Sequence, residues 1–354
     1  MTSLPRRRFI AGLPALGLIS KASAKTQTEP LQHIVFGSCL DTHEHPMLDR
    51  TLTLPRDLFI FMGDNIYADK GGLPMMREKY ALLKQSSFFQ GLRNKGRIVA
   101  TWDDHDFGEN DGGAGNPLKK EAQKEFHDWL DEPADSPRRQ QEGVYNAHIF
   151  GPEGRRVQVI LLDTRYFRSP LKKVPKDQAM LGGACTATDD ISTTMLGDVQ
   201  WQWLEAMLTQ PVELRLIISS VQFAPELHGG EGWANMPHEQ QRMLDILKRT
   251  KAAGVILLSG DRHWCEFSKI DGPTGYPLHD FTSSSMTQKH PRGAPTPNKN
   301  RFVPQTYHLP SVGYLQIDWG KEVTISAQVI DVDGKMQIEH GFKLSELQPQ
   351  RRSE

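Results

Sequence analysis

Six short apolar runs punctuate the chain, at residues 34–36, 58–61, 98–100, 157–162, 214–219 and 255–258. Each is continuous rather than alternating, which predicts strands covered on both faces, as in a parallel sheet. Helical spacing falls between some of them. Asp198 is placed to cap a helix carrying Trp201, Leu204, Met207 and Leu208, and Pro237 precedes another carrying Met243, Leu244 and Leu247. Strands alternating with helices predict a layered α/β domain. The tail has a different rhythm. Residues 314–317 and 323–327 predict antiparallel strands joined through Gly320-Lys321. Residues 108–117 and 289–304 predict long loops. No fixed-period repeat and no linker interrupts the pattern, so residues 25–354 read as one domain.

The first 24 residues have another character. Arg6-Arg7-Arg8 leads into an apolar stretch at 10–19, and Ala22-Ser23-Ala24 follows as a small-x-small cleavage pattern. A charged start, a short apolar middle and a small-residue end predict an export signal, and the stretch is too short to span a bilayer. Paired arginines before Phe9-Ile10 match the twin-arginine type, which would make the export machinery a partner and the destination the periplasm or the medium of a bacterium. Composition narrows the rest. The 354 residues carry 42 Lys+Arg against 43 Asp+Glu, which argues against a mainly electrostatic nucleic-acid binder. Three cysteines exclude a disulfide framework, and no apolar run is long enough for a stable membrane span.

Chemistry concentrates where the expected strands end. Gly37-Ser38-Cys39 follows the first, Gly63-Asp64-Asn65-Ile66-Tyr67 the second, Trp102-Asp103-Asp104-His105-Asp106 the third, and Ser259-Gly260-Asp261-Arg262-His263 the sixth. Open α/β sheets bind ligands at strand carboxyl ends. Four such loops meeting there would repel one another unless a cation neutralised them. Each piece has a plainer alternative: Cys39 as a buried structural thiol, Tyr67 as packing beside its loop, a lone Asp as a helix cap. Tyr67, three residues after Asp64, would reach the same ion if the chain turned into a helix there. His43 and His45 are expected in a surface loop. Asp163 and Arg165 are expected to pair structurally, and His228 with Gly229-Gly230 to form part of the site rim. Cys185 and Cys265 are left either paired or reduced.

These motifs, with Asn110-Asp111, Leu161-Leu162-Asp163-Thr164-Arg165 and Gly197-x-x-Gln200-x-x-Trp203-Leu204, resemble in order those of the PhoD-like alkaline phosphatase/phosphodiesterase family, within the calcineurin-like metallophosphoesterases. The resemblance spans residues 36–263 and is expected to fade after residue 270. It implies a four-layer α-β-β-α sandwich with antiparallel C-terminal strands. It also implies an iron(III) held by Cys39, Asp64 and Tyr67, with Asp64 bridging to a second ion. Asp104, His105, Asn110, Asp261 and His263 would complete the ligands or contact phosphate, and the partner ions would be calcium.

The activity so implied is metal-assisted hydrolysis of a phosphate ester. Arg262 is a candidate phosphate contact, and His105 or His263 a candidate proton donor to the leaving group. Ser38 and Ser283-Ser284-Ser285 show no positioned base in sequence. Two alternatives stay open. One is a diester, phospholipid or phosphotriester substrate on the same centre; the other is an exported metal- or phosphate-binding protein without activity.

Overall fold

A computed structural model describes residues 29–349, except 43, 273, 291 and 292. The expected export segment lies outside the described residues. Two six-stranded mixed sheets form the centre of the molecule. The first contains β1 (His33–Gly37), β2 (Leu58–Met62), β3 (Arg97–Thr101), β10 (Ser311–Asp318), β11 (Thr324–Asp331) and β12 (Met336–Lys343), in the order β12-β11-β10-β1-β2-β3. The second contains β4 (Asn146–Phe150), β5 (Val157–Leu161), β6 (Leu214–Ser219), β7 (Val255–Ser259), β8 (Cys265–Ile270) and β9 (Leu278–Ser283), in the order β4-β5-β6-β7-β9-β8.

Within each sheet the apolar runs are the parallel strands. β1, β2 and β3 run parallel, as do β5, β6, β7 and β9. Continuous apolarity reflects burial on two sides, because successive side chains point to opposite faces. Ile34, Phe36, Leu58, Ile60 and Met62 face the second sheet and join its core. Val35, Phe59 and Phe61 face the other way, onto α1 (Pro46–Thr53), α2 (Gly72–Gln85), α3 (Ser87–Lys95) and α5 (Lys119–Trp129), while the one-turn α4 (Asp104–Phe107) follows β3. On the far side of the second sheet lie α6 (Gly197–Leu208) and α7 (Pro237–Thr250), anchored by Trp201, Leu204, Met243 and Leu247. The result is the expected α-β-β-α sandwich. Each fully buried Leu, Ile or Phe contributes roughly 1.5–3 kcal/mol, so two cores of this size are ample to fix the layers.

Three local expectations change. Helix α6 starts one residue before Asp198, which therefore sits in the first turn, where its charge favours the helix dipole instead of capping it. Strands β4, β8, β9 and β12 escaped the search for apolar runs. Sequences such as CEFSKI and MQIEHGFK mix polar with apolar positions, and β4, β8 and β12 are edge strands paired on one side only. The tail holds three antiparallel strands, β10 to β12, rather than two.

Parallel pairing puts the carboxyl ends of β1, β2 and β3 at one edge, and those of β5, β6, β7 and β9 at one edge. A bridge between Ser38 and Ser284 stitches the two edges together. Gly260 is a glycine because of that seam: a Cβ there would lie 2.5 Å from the Ser38 hydroxyl. Among the described residues, no helix is long and apolar enough to cross a membrane.

Candidate metal centre

The loops leaving β1, β2, β3 and β7 converge at that seam. Ligand atoms of Cys39, Asp64 and His263 lie within 4.8 Å of one another, as do those of Asp64, Asp104 and His105, and those of Asp103, Asp104 and Asp261. A fourth group, Asp104, Asp111 and Glu231, extends the cluster. The groups share Asp64 and Asp104, so they form one continuous site. The Tyr67 hydroxyl donates to Asp64 Oδ2 at 3.3 Å and lies 3.2 Å from His263 Nε2. The Cys39 thiol donates to the same carboxylate oxygen at 3.4 Å. Six of the seven expected ligands thus meet. Asn110 is exposed, and its neighbour Asp111 carries the carboxylate that approaches the cluster.

The backbone is bent to make this possible. Cys39, Asp64, Asp111, Asp261 and His263 all have positive φ, between 51° and 70°. Among the described non-glycine residues only Asp131 and Lys251 share that conformation. Left-handed backbone is costly for side chains other than Gly, Asn and Asp, and it concentrates at functional sites. Here it accompanies the turns that carry these side chains into the cluster. Tyr67 reaches Asp64 through this turn and not through a helix; α2 begins only at Gly72.

Electrostatics sharpen the picture. Burial pushes the Cys39 thiol up to about 12, opposed by hydrogen bonds from Ser284 and Ser38. Asp64 is pushed well above the usual carboxylate range, first by burial and then by the charges of Cys39, Asp104 and Asp103. Burial raises Asp261 to about 6. Burial, with the nearby Cys39 and Asp64, also raises the Tyr67 phenol, and burial lowers the His263 imidazole. Every shift disfavours the ionised form, chiefly because the groups are buried, and for the acids also because they crowd one another. A cation reverses that preference: carboxylates, thiolate and phenolate become its ligands. The donor set therefore fits a metal. Cys39, Asp64, Tyr67 and His263 make a thiolate–phenolate–imidazole end, and Asp104, Asp103 and Asp261 a hard, all-oxygen end.

A surrounding shell fixes these groups. Ser284 Oγ lies 3.0 Å from Cys39 Sγ and accepts the His263 backbone N–H at 2.8 Å. The serine run without a base is thus part of the centre's support. His105 Nδ1 lies 2.8 Å from Asp69 Oδ1, and its ring stacks on Tyr67 at 4.1 Å between centroids. Arg165 does not pair with the Asp163 side chain as expected. Its guanidinium reaches Asp103 at 2.5 Å and Glu231 at 2.6 Å, while Asp163 accepts backbone N–H groups from Val144, Arg165 and Tyr166. Arg168 grips the other Glu231 oxygen at 2.5 Å. His45 caps α1 by accepting from the Met47 N–H, and His43 lies outside the described residues. All three cysteines are free.

Sequence reasoning missed Asp69, Asp111 and Glu231. Asp111 stood in a quoted motif, but Asp69 and Glu231 follow no apolar run and become visible only once the loops pack. The rim expectation for residues 228–230 is met, since Gly230 packs directly on Arg262.

Two packed mixed sheets with an acid-rich cluster at their joined carboxyl ends define an α-β-β-α hydrolase architecture with a candidate metal centre. The PhoD-like phosphatase family matches residues 45–328, and the chain belongs to that family; it is a phosphoric ester hydrolase. The match continues through β8 to β10 and into β11, beyond the expected limit at residue 270. It begins after Cys39, so that residue's place in the centre stands on geometry alone. Among solved structures, PhoD superposes with a TM-score of 0.67 at 18% identity, covering 89% of this chain and 69% of that one. GAP50, the anchor in the inner membrane complex of Plasmodium, superposes with a TM-score of 0.54 at 10% identity, covering 92% and 91%. At these identities the likeness is one of fold. No curated protein matches the chain in sequence.

Proposed function

We propose that the chain is an exported, metal-dependent phosphoric ester hydrolase of the alkaline phosphatase/phosphodiesterase type. One observation carries this reading: acids, thiol, phenol and imidazole from four strand ends gather in one buried site whose acids outnumber the two guanidinium groups, Arg165 and Arg262, that reach them. Cys39, Asp64, Tyr67 and His263 would hold iron(III), and Asp104, Asp261 and Asp103 would hold calcium. When bound, the ions supply Lewis acidity toward a phosphoryl oxygen and toward water.

The chain's own residues do the remaining work. Arg262 binds the substrate phosphate beside Asp261. Asp69 orients the His105 ring through Nδ1, which leaves Nε2 to pass a proton to the leaving oxygen. Asp103, held by Arg165 and by the Ser220 hydroxyl at 2.6 Å, stiffens the loop that carries Asp104. The twin-arginine leader accords with assembly before export to the periplasm or the medium. The test is turnover of chromogenic phosphate mono- and diesters by the purified protein, before and after chelation. Hydrolysis that chelation abolishes is expected. Hydrolysis unaffected by complete metal removal would overturn the metal-dependent reading.

A further inference from the structure

Arg262 lies between two candidate ligands, Asp261 and His263, yet its guanidinium is held by something else. Its face rests on the buried Trp264 ring, with Cζ 4.8 Å from the ring centroid. Its Nη1 contacts Asp261 Oδ2 at 3.3 Å. Its Nε is buried with no protein acceptor. Only 11% of the side chain is exposed. The backbone of Gly230 also lies against the guanidinium. A Cβ there would stand 2.3 Å from Nη1 and 2.9 Å from both Cζ and Nη2.

The Gly230 backbone is itself pinned. Its N–H donates to His228 Nδ1 at 3.1 Å, the Gly182 N–H donates to the His228 carbonyl, and the Cys185 N–H donates to the Gly229 carbonyl at 2.7 Å. The next residue is Glu231, locked by two arginines. When a Cβ is added, the backbone therefore stays and the guanidinium moves. Gly230 is not among the positive-φ glycines, so alanine meets no backbone penalty there.

We propose that Gly230 and Trp264 are positioning residues for phosphate recognition: together they aim the Arg262 guanidinium as a clamp on the phosphoryl group. Arginine recognises phosphate through a planar fork of donors, so a small tilt of that plane costs binding even when the charge is retained. The proposal rests on the phosphoester reading of the site and adds the parts that set its affinity for the phosphoryl group.

The test is a double-mutant cycle on the full chain, with Gly230→Ala, Arg262→Ala and the double variant. Calorimetry reads the affinity for inorganic phosphate, and an aryl phosphate gives KM; metal content and melting temperature serve as controls. Gly230→Ala is expected to weaken phosphate binding and raise KM by about tenfold, the scale of one charge-assisted hydrogen bond, with controls unchanged. In the Arg262→Ala background it is expected to add nothing. Trp264→Phe, which keeps an aromatic face, is expected to give a smaller loss that also vanishes in that background.

Unchanged phosphate affinity in Gly230→Ala, or an equal loss with and without Arg262, would overturn the proposal. So would a Gly230→Ala protein that fails to fold, because the group in the way is the mobile end of a side chain. An intact cycle in a protein that hydrolyses no ester would instead overturn the hydrolase reading and leave the clamp standing.

Discussion

Glu231 and Asp64 are both almost completely buried carboxylates in the same site, yet their acidities move in opposite directions. Burial alone would raise Glu231, but Arg165 and Arg168 hold it down at about 2. Asp64 has no such partner. Burial and four acidic neighbours, Cys39, Asp104, Asp103 and Asp106, push it up. One half of the site is thus balanced within the chain, and the other awaits charge from outside. A protein that buries ionisable groups without partners loses several kcal/mol per stranded ion. A bound cation would offset that cost.

The contrast is broken most severely at Asp64. Asp64→Asn is expected to lose metal and activity together, with activity falling on the order of a hundredfold or more. The metal-free form of the same variant is expected to be more stable than metal-free wild type, because a disfavoured charge is gone. Paired metal analysis and denaturant unfolding check both halves. Activity lost with metal retained would mean that Asp64 does something other than hold ions.

Glu231→Gln should have the opposite signature. It removes the carboxylate that two buried guanidinium groups share, leaving Arg165 with Asp103 and Arg168 with backbone carbonyls, and is expected to cost about 3–5 kcal/mol whether or not metal is present. Denaturant midpoints with and without chelator test this. A loss seen only in the metal-bound protein would make Glu231 a ligand rather than a counter-ion.

The pH dependence of the metal-free protein sharpens the comparison further. Asp261 titrates at about 6 when folded, above its ordinary 3.8. Between those values the folded state binds more protons, so stability falls as pH rises from about 4 to 6 and then levels off. Asp261→Asn is expected to remove that portion of the slope, worth about 1.4 kcal/mol per pKa unit. Unfolding free energy followed across that window would detect it, and an identical slope in the two proteins would count against a raised Asp261.

The smallest expected effect is spectroscopic. A phenolate bound to iron(III) absorbs visible light, so Tyr67→Phe is expected to bleach or shift the band while the fold holds. An unchanged spectrum would remove Tyr67 from the ligands.

The centre was legible in sequence because its ligands follow apolar runs that only parallel strands explain. Cys39, Asp64, Asp104 and Asp261 each stand within a few residues of such a run. The balancing half was not legible for the converse reason. Glu231 lies in a Gly-rich segment far from any strand end, and Arg165 meets it across 65 intervening positions of chain only through packing. Edge strands such as β4 and β8 were missed on similar grounds, since a half-covered strand need not be continuously apolar. Ser284 was visible as a residue, but its use as a prop for Cys39 and His263 depends on the seam between the sheets.

The central claim is that the unbalanced half of the site exists to hold cations. Elemental analysis of the protein purified from its own host tests it most directly. Iron together with a second, oxygen-preferring ion such as calcium, each near one per chain, is the expected result. Fully active protein carrying neither would contradict it.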